Sequence, residues 1–86
     1  MEGSVITVRV RLFAALKDKL GRSEVPITVP EPARASDLVA AVAATHPELA
    51  PLLPGVRVAV DLGFVRPDHR IETGHDIALL PPVSGG

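Results

Sequence analysis

The chain has 86 residues with a net charge of −1, and it is 47% hydrophobic, 22% charged and 2% aromatic. These values are typical of one globular domain, and they offer neither the basic surface nor the aromatic stacking platforms of a nucleic-acid binder. The lack of cysteine excludes disulfides and thiolate chemistry, and the lack of a signal peptide or of about 20 consecutive apolar residues predicts a cytoplasmic protein without membrane contact.

The first third of the chain predicts two strands with a short helix between them. Residues 5–13 alternate between apolar and polar side chains, which is the period of a half-buried strand. Residues 14–20 follow as a short helix that Gly21 caps, and residues 23–29 alternate again. Because Pro26 has no N–H for a ladder, we expect this second strand at a sheet edge, antiparallel to the first.

A longer helix is predicted after the Pro30-Glu31-Pro32 break. Ser36 is the expected N-cap, and Asp37 suits the positive end of the helix dipole. Pro47 should end the helix, and residues 48–53 should form a buried short turn of helix. The apolar stripe of the helix consists of Leu38, Val39, Val42 and His46.

The second half predicts the remaining strands. Residues 56–62 alternate with Val56, Val58, Val60 and Leu62 inward, and Leu62-Gly63 turns the chain into a short strand at 64–65. A polar loop should span 66–75, and a last strand should span 76–80. One helix across one face of a mixed sheet of about five strands is the α+β β-grasp, or ubiquitin-like, fold. Its predicted core comprises Val8, Val10, Leu38, Val42, Val58, Val60, Ile77 and Leu79.

The last six residues predict a functional tail. We expect residues 1–80 to form the β-grasp domain and residues 81–86 to form a flexible extension. Pro81 and Pro82 cannot continue a ladder and favour an extended root, whereas Gly85 and Gly86 keep the thread narrow. A thin thread that ends in a carboxylate suits insertion into a cleft on another protein. The alternative is a frayed terminus.

Two candidate sites have simpler explanations. His69 and His75, with Asp68 and Asp76 beside them, match no tetrahedral metal spacing, so turn residues around Gly74 are the favoured interpretation. Arg9, Arg11 and Arg57 are expected on the open face of the sheet, where neighbouring acids such as Glu24 favour a mixed solvated face over a basic stripe.

A third candidate is an apolar surface. Phe13 and Leu80 have the outward parity of their strands, and Phe64 lies near a strand turn. Large apolar groups that cluster on the open side of a sheet are typical of an interface, although scattered apolar residues are common on surfaces. We therefore predict a partner interface at these three residues.

The chain resembles the small, sulfur-carrying subunits of molybdopterin synthase, in the MoaD/ThiS-like β-grasp family. The resemblance covers essentially the whole chain. Two departures are Asp61, where the family usually has Asn, and His75, which interrupts the family's Gly-Asp-Glu run. The matching segments are residues 8–16 with Leu20-Gly21, His46-Pro47-Glu48-Leu49, residues 58–61 and, most specifically, residues 73–86.

The resemblance implies a sulfur-carrier role for Gly86. In this family a partner enzyme uses ATP to adenylate the C-terminal glycine, and persulfide sulfur displaces AMP to leave a thiocarboxylate. The tail, Pro81 to Gly86, then inserts into the large subunit of a heterotetramer, where a cyclic pterin precursor accepts the sulfur for molybdenum cofactor biosynthesis. Catalytic residues are expected on the partners, and this chain itself is expected to bind no cofactor or metal.

Two related functions remain open at this stage. One is a sulfur carrier for thiamine thiazole or tRNA thiolation, although such carriers generally lack the Pro-Pro-Val-Ser lead-in. The other is a ubiquitin-like modifier joined to lysines through Gly86. Adenylation is common to all three.

Overall fold

A mixed five-stranded sheet carries one main helix on one face in the computed structural model, which describes residues 4–82. The order across the sheet is β2-β1-β7-β4-β5, with β1 and β7 parallel and all other neighbours antiparallel. Strands β3 and β6 form a second, two-stranded sheet. The predicted α+β β-grasp architecture is confirmed. In chain order the elements are β1 (Val5–Leu12), α1 (Ala14–Leu20), β2 (Glu24–Pro30), β3 (Ala33–Arg34), α2 (Ala35–Thr45), a 3₁₀ helix (Pro47–Leu52), β4 (Arg57–Val60), β5 (Gly63–Val65), β6 (Arg70–Ile71) and β7 (Ile77–Leu80).

The β1–α1–β2 unit agrees with its prediction. Strands β1 and β2 pair antiparallel from Val5 opposite Pro30 to Arg11 opposite Glu24. Strand β2 is an edge strand, as predicted, because Pro26 has no N–H to donate to a second neighbouring strand. Helix α1 ends at Gly21, whose φ of 76° is left-handed and whose N–H donates to the Lys17 carbonyl at 2.8 Å.

The start of α2 differs from the prediction. Arg34, rather than Ser36, is the N-cap. The Asp37 side chain, in the first turn of the helix, accepts a hydrogen bond of 2.8 Å from the Arg34 N–H. A serine cap is unnecessary because a loop supplies backbone acceptors. The Ser36 N–H donates to the Pro67 carbonyl at 2.9 Å, and the Ala35 N–H donates to a further loop carbonyl at 2.8 Å.

The prediction that Leu62 lies inward was wrong. Asp61 and Leu62 both have positive φ, at 51° and 74°, and Val60 pairs with Gly63 across them. Positive φ at both central residues is typical of a two-residue type I′ hairpin turn. Leu62 is therefore at the tip and is 88% exposed.

The predicted loop at 66–75 contains a strand. Strand β6 pairs antiparallel with β3, placing Ile71 opposite Ala33 and Arg70 opposite Arg34. Ile71 is 3% exposed and belongs to the core. A strand of two residues with one apolar side chain has no readable period, so the alternation that identified the other strands was absent here.

The core lies between the sheet and α2. Seven of the eight predicted core residues are buried, whereas Val60 is partly buried against them. Within residues 4–82, no helix is long and apolar enough to cross a membrane. The predicted boundary at residue 80 remains a prediction, since Val83, Ser84, Gly85 and Gly86 lie outside the described residues.

Candidate functional site: an apolar depression beside the tail root

A row of four side chains crosses the open face of the sheet. The strand register places Arg11 beside Ala78, Ala78 beside Ala59, and Ala59 beside Phe64. Directly opposed residues of neighbouring strands project from the same face, so the row continues across β1, β7, β4 and β5. Ala59 lies on the outer side, as the alternation predicted, yet Ala59 and Ala78 are only 8% and 9% exposed. These two small residues form a low floor between larger neighbours.

Larger side chains surround this floor and create a depression of about 210 Å³. Phe13 is two residues beyond Arg11, and Leu80 is two residues beyond Ala78 in β7, so both have the parity of the row. The structure thus brings together the three residues predicted as a partner interface. We call this surface the apolar depression; it is lined by Arg11, Phe13, Ala59, Leu62, Phe64, Asp76, Ala78 and Leu80.

Charged groups at the depression are held in place by pairing. The Arg11 guanidinium lies 3.0 Å from the Asp76 carboxylate and 5.4 Å from the Phe13 ring centre. Arg57, which is opposite Leu80 in the register, lies 4.1 Å from the ring centre of Phe64. Such cation–π contacts stabilise exposed sites by about 0.5–1 kcal/mol and restrict the ring. The aromatic surface of Phe64 is therefore oriented before any partner binds.

The arginines form a mixed surface rather than a basic stripe. Arg9 donates to Glu24 at 3.1 Å, and Arg11 pairs with Asp76. Arg57 instead stacks on a ring. The interpretation as a solvated face with interspersed acids is confirmed for Arg9 and Arg11.

The two departures from the family pattern lie in contact. His75 Nδ1 is 2.6 Å from the Asp61 carboxylate, whose other oxygen accepts the Asp76 N–H at 3.0 Å. The hydrogen bond from the Asp76 backbone and then the one from His75 lower the pKa of Asp61. The hydrogen bond to Asp61 and then its negative charge raise the pKa of His75. The β4–β5 turn is therefore tied to the start of β7, next to the apolar depression.

The two histidines considered as metal ligands have different partners. His75 contacts Asp61, and its Nε2 is 3.8 Å from Glu72. His69 uses its backbone: its carbonyl accepts the Ala35 N–H and its N–H donates to Arg66. In the part of the chain that the structure describes, no group of three or more His, Asp or Glu side chains is arranged to hold a metal ion.

The tail root begins at the depression. Strand β7 ends at Leu80, and Pro81 and Pro82 follow, half-buried and exposed respectively. The Pro82 ring faces Gly55, in the turn before β4, at a distance where a Cβ added to Gly55 would just touch it. The predicted carrier Gly86 and the rest of the insertion segment lie outside the described residues.

A comparison with protein families shows to which family the chain belongs. The model of the ThiS family matches residues 10–86. The chain belongs to the ThiS family. A molybdopterin synthase sulfur carrier subunit from Chlamydomonas reinhardtii is 30% identical, over 92% of this chain and 98% of the relative. The resemblance seen in the sequence is confirmed.

Solved structures of similar proteins have the same fold. SAMP1 from Haloferax volcanii, a small archaeal modifier protein, is 26% identical with a TM-score of 0.78, over 93% of this chain and 99% of that chain. A putative molybdopterin converting factor, subunit 1, from Pyrococcus furiosus is 27% identical with a TM-score of 0.77, over 91% and 99%. The β-grasp prediction thus has independent support.

Several residues of the site were not identified from the sequence as part of it. Ala59 and Ala78 carried no signal alone, because their role depends on being opposed in the sheet. Arg57 was placed on the open face, but its stacking on Phe64 follows from the hairpin register. A prediction that β4 is the neighbour of β7 would have placed Ala59 beside Ala78.

Proposed function

We propose that this protein is the sulfur-carrier subunit of a molybdopterin synthase, with Gly86 as the carrier. The observation that carries the proposal is the position of the Pro81-Pro82 root, which leaves β7 at Leu80, on the edge of the apolar depression. A surface for a protein partner and the start of the tail are thereby adjacent. Membership of the ThiS family and the name of the algal relative support this role.

The chemistry takes place on the main chain. A carboxylate is a poor electrophile, so one of its oxygens first attacks the α-phosphorus of ATP, releasing pyrophosphate. The terminal sulfur of a persulfide then attacks the acyl carbon and AMP leaves. A thiol cleaves the remaining S–S bond, forming a disulfide and leaving the thiocarboxylate. This sequence requires no cysteine in the carrier, and the chain has none.

The catalytic groups in this proposal belong to the partners. An adenylating enzyme binds ATP and receives the tail, a persulfide enzyme donates sulfur, and a large synthase subunit binds the cyclic pterin precursor. The similar Pyrococcus furiosus protein is a putative subunit 1 of a molybdopterin converting factor, and that name fits a carrier that works in a complex with another subunit. A heterotetramer with the large subunit and a cytoplasmic location are part of the proposal.

Protein modification is the second candidate function. It is favoured by one observation, the likeness to SAMP1, which is as close in fold as the molybdopterin-related structure. A modifier uses the same adenylated glycine, but a lysine amine displaces AMP and forms an isopeptide bond. The nucleophile that displaces AMP therefore separates the carrier from the modifier, whereas a carrier that serves thiamine or tRNA would differ in the acceptor of its sulfur.

The proposal is tested by loading sulfur onto the purified chain. Incubation with its adenylating partner, ATP and a persulfide donor should exchange one oxygen for sulfur, and tandem mass spectrometry should place it at Gly86. Deleting Gly86 shortens the reach by about 3.3–3.6 Å. Since a 1 Å misplacement can cost about a hundredfold in rate, the deletion should abolish loading.

Gly85→Val is the matched tail variant. It keeps the length but widens the thread and restricts its backbone, so loading should again fail. The described core runs from Val8 to Leu79, before both positions in the chain, so the free energy of unfolding should change by less than about 0.5 kcal/mol. Loading of the Gly86 deletion at the parent rate would refute the carrier mechanism.

A further inference from the structure

The Pro54-Gly55 turn lies beside Pro82, in the tail root. The Val56 N–H donates to the Leu53 carbonyl at 2.8 Å and closes a four-residue turn with Pro54 and Gly55 at its centre. Gly55 has a φ of 82°. Proline followed by a residue with positive φ is the pattern of a type II turn, which favours glycine at that second position.

Gly55 meets a second requirement, which comes from the other end of the chain. A methyl group built on Gly55 would lie 3.4 Å from Cγ, 3.6 Å from Cβ and 4.0 Å from Cδ of Pro82. Three atoms of the ring thus face the bare Cα. A methyl group would be in van der Waals contact, and a longer side chain has to avoid the ring or displace it.

Two positions therefore define how the chain leaves the sheet. Leu80 is held opposite Arg57 by the β4–β7 register, and the ring of Pro82, two residues later, faces Gly55 at a distance where one methyl group on Gly55 would just touch it. Proline has a fixed φ near −65°, so a contact with its ring also orients the main chain that passes through it. The tail root therefore follows one register position in the sheet and lies beside one turn of the domain.

We propose that Gly55 is a positioning residue for the tail: because it has no side chain, the Pro82 ring can lie beside the Pro54-Gly55 turn, and this placement, which we call the seat, sets the direction of the main chain at the tail root. The functional consequence rests on the proposed carrier role. A carboxylate that must reach a phosphorus atom inside another protein depends on where its thread starts. Misplacement of reacting atoms by 1 Å can cost about a hundredfold in rate.

The test compares two left-handed glycines. Asparagine tolerates positive φ, so Gly55→Asn and Gly21→Asn impose a similar backbone cost. A Cβ at Gly21 meets nothing within 4 Å, whereas one at Gly55 meets Pro82. We expect Gly55→Asn to lower kcat/KM for sulfur loading about tenfold, because the displaced thread can still be captured, and Gly21→Asn to change it less than about twofold.

A double-mutant cycle with Pro82→Ala separates positioning from destabilisation. If Gly55 acts through the Pro82 ring, Gly55→Asn should have little further effect in the Pro82→Ala background, whereas independent effects would multiply. Equal losses in Gly55→Asn and Gly21→Asn, or full additivity in the cycle, would overturn the proposal. Thermal unfolding of each variant verifies that the domain is folded.

A measurement without sulfur chemistry distinguishes failure of the seat from failure of the carrier role. In the parent, NMR should show nuclear Overhauser contacts between the Gly55 α-protons and the Pro82 ring protons. Their absence overturns the seat, whatever the loading result. If they are present and the parent acquires no sulfur from any adenylating partner, the carrier role fails and the seat stands.

Discussion

Truncation of Phe64 tests the apolar depression as the partner-binding surface. Phe64 is 53% exposed and is oriented by Arg57, whose guanidinium lies 4.1 Å from its ring centre. If the large subunit covers the depression, this exposed half of the ring becomes buried in the complex. Phe64→Ala should therefore weaken binding while leaving the sheet intact.

The expected loss follows from the exposed area. A phenylalanine side chain offers about 150–250 Å² for burial, so the exposed half is about 100 Å². At about 25 cal/mol per Å², covering it contributes about 2.5 kcal/mol. Alanine retains a small part, so the expected loss is about 2 kcal/mol, or about 30-fold in Kd. Phe13 is 37% exposed, and the same reasoning gives a smaller loss for Phe13→Ala, about 1–1.5 kcal/mol.

The assay is calorimetric titration of each variant with the large subunit, together with Leu80→Ala. Val5→Ala is the matched control, because Val5 is 65% exposed yet lies about 26 Å from Phe13 along β1 at about 3.3 Å per residue. Unchanged affinity in all three depression variants, with parent melting temperatures, would refute the assignment of this surface. A loss for Val5→Ala equal to that for Phe64→Ala would show that the effect is not local.

Two further predictions concern folding and pH. Val42 is fully buried in α2, so Val42→Asp should unfold the domain by burying an unpaired charge. The control Ala40→Asp lies on the exposed side of the same helix and should melt cooperatively near the parent temperature. A parent-like melt of Val42→Asp would show that the helix face is misassigned. The ion pair of His75 with Asp61 should stabilise the folded state below pH 6.5, the ordinary pKa of a histidine. This stabilisation should be lost as pH rises through the raised pKa of His75, because His75 then loses its charge. It should also be lost as pH falls through the lowered pKa of Asp61, because Asp61 then gains a proton. In an NMR titration His75 should have its midpoint above 6.5, and Asp61→Asn should lower it more than Glu72→Gln; a parent midpoint at or below 6.5 would contradict the pairing.

Much of the fold was predictable because burial imposes a period on the sequence. The alternation of β1 and β2 and the spacing of Leu38 and Val42 in α2 each predicted which side chains are buried. The wrong predictions concern segments whose structure depends on backbone hydrogen bonds to distant residues rather than on a local sequence pattern. The start of α2 is capped by loop carbonyls, and β6 is defined by pairing with β3 over two residues.

The candidate site was predictable in part, through strand parity. Parity placed Phe13 and Leu80 on the open face, and the structure places both at the apolar depression with Phe64. The floor of Ala59 and Ala78 depends on which strands are neighbours, and neither residue has a distinctive side chain. The proximity of residues distant in the chain, such as Gly55 and Pro82, leaves no local pattern in the sequence.

The most direct test of the central claim is a single-turnover sulfur transfer. Chain thiocarboxylated at Gly86 is mixed with the large subunit and the cyclic pterin precursor, and both protein and pterin are followed by mass spectrometry. The proposed function predicts that Gly86 returns to a carboxylate as the pterin gains sulfur, with no transfer from chain lacking the thiocarboxylate. Retention of the thiocarboxylate in the assembled complex, with the pterin unchanged, would contradict the assignment as a molybdopterin synthase sulfur carrier.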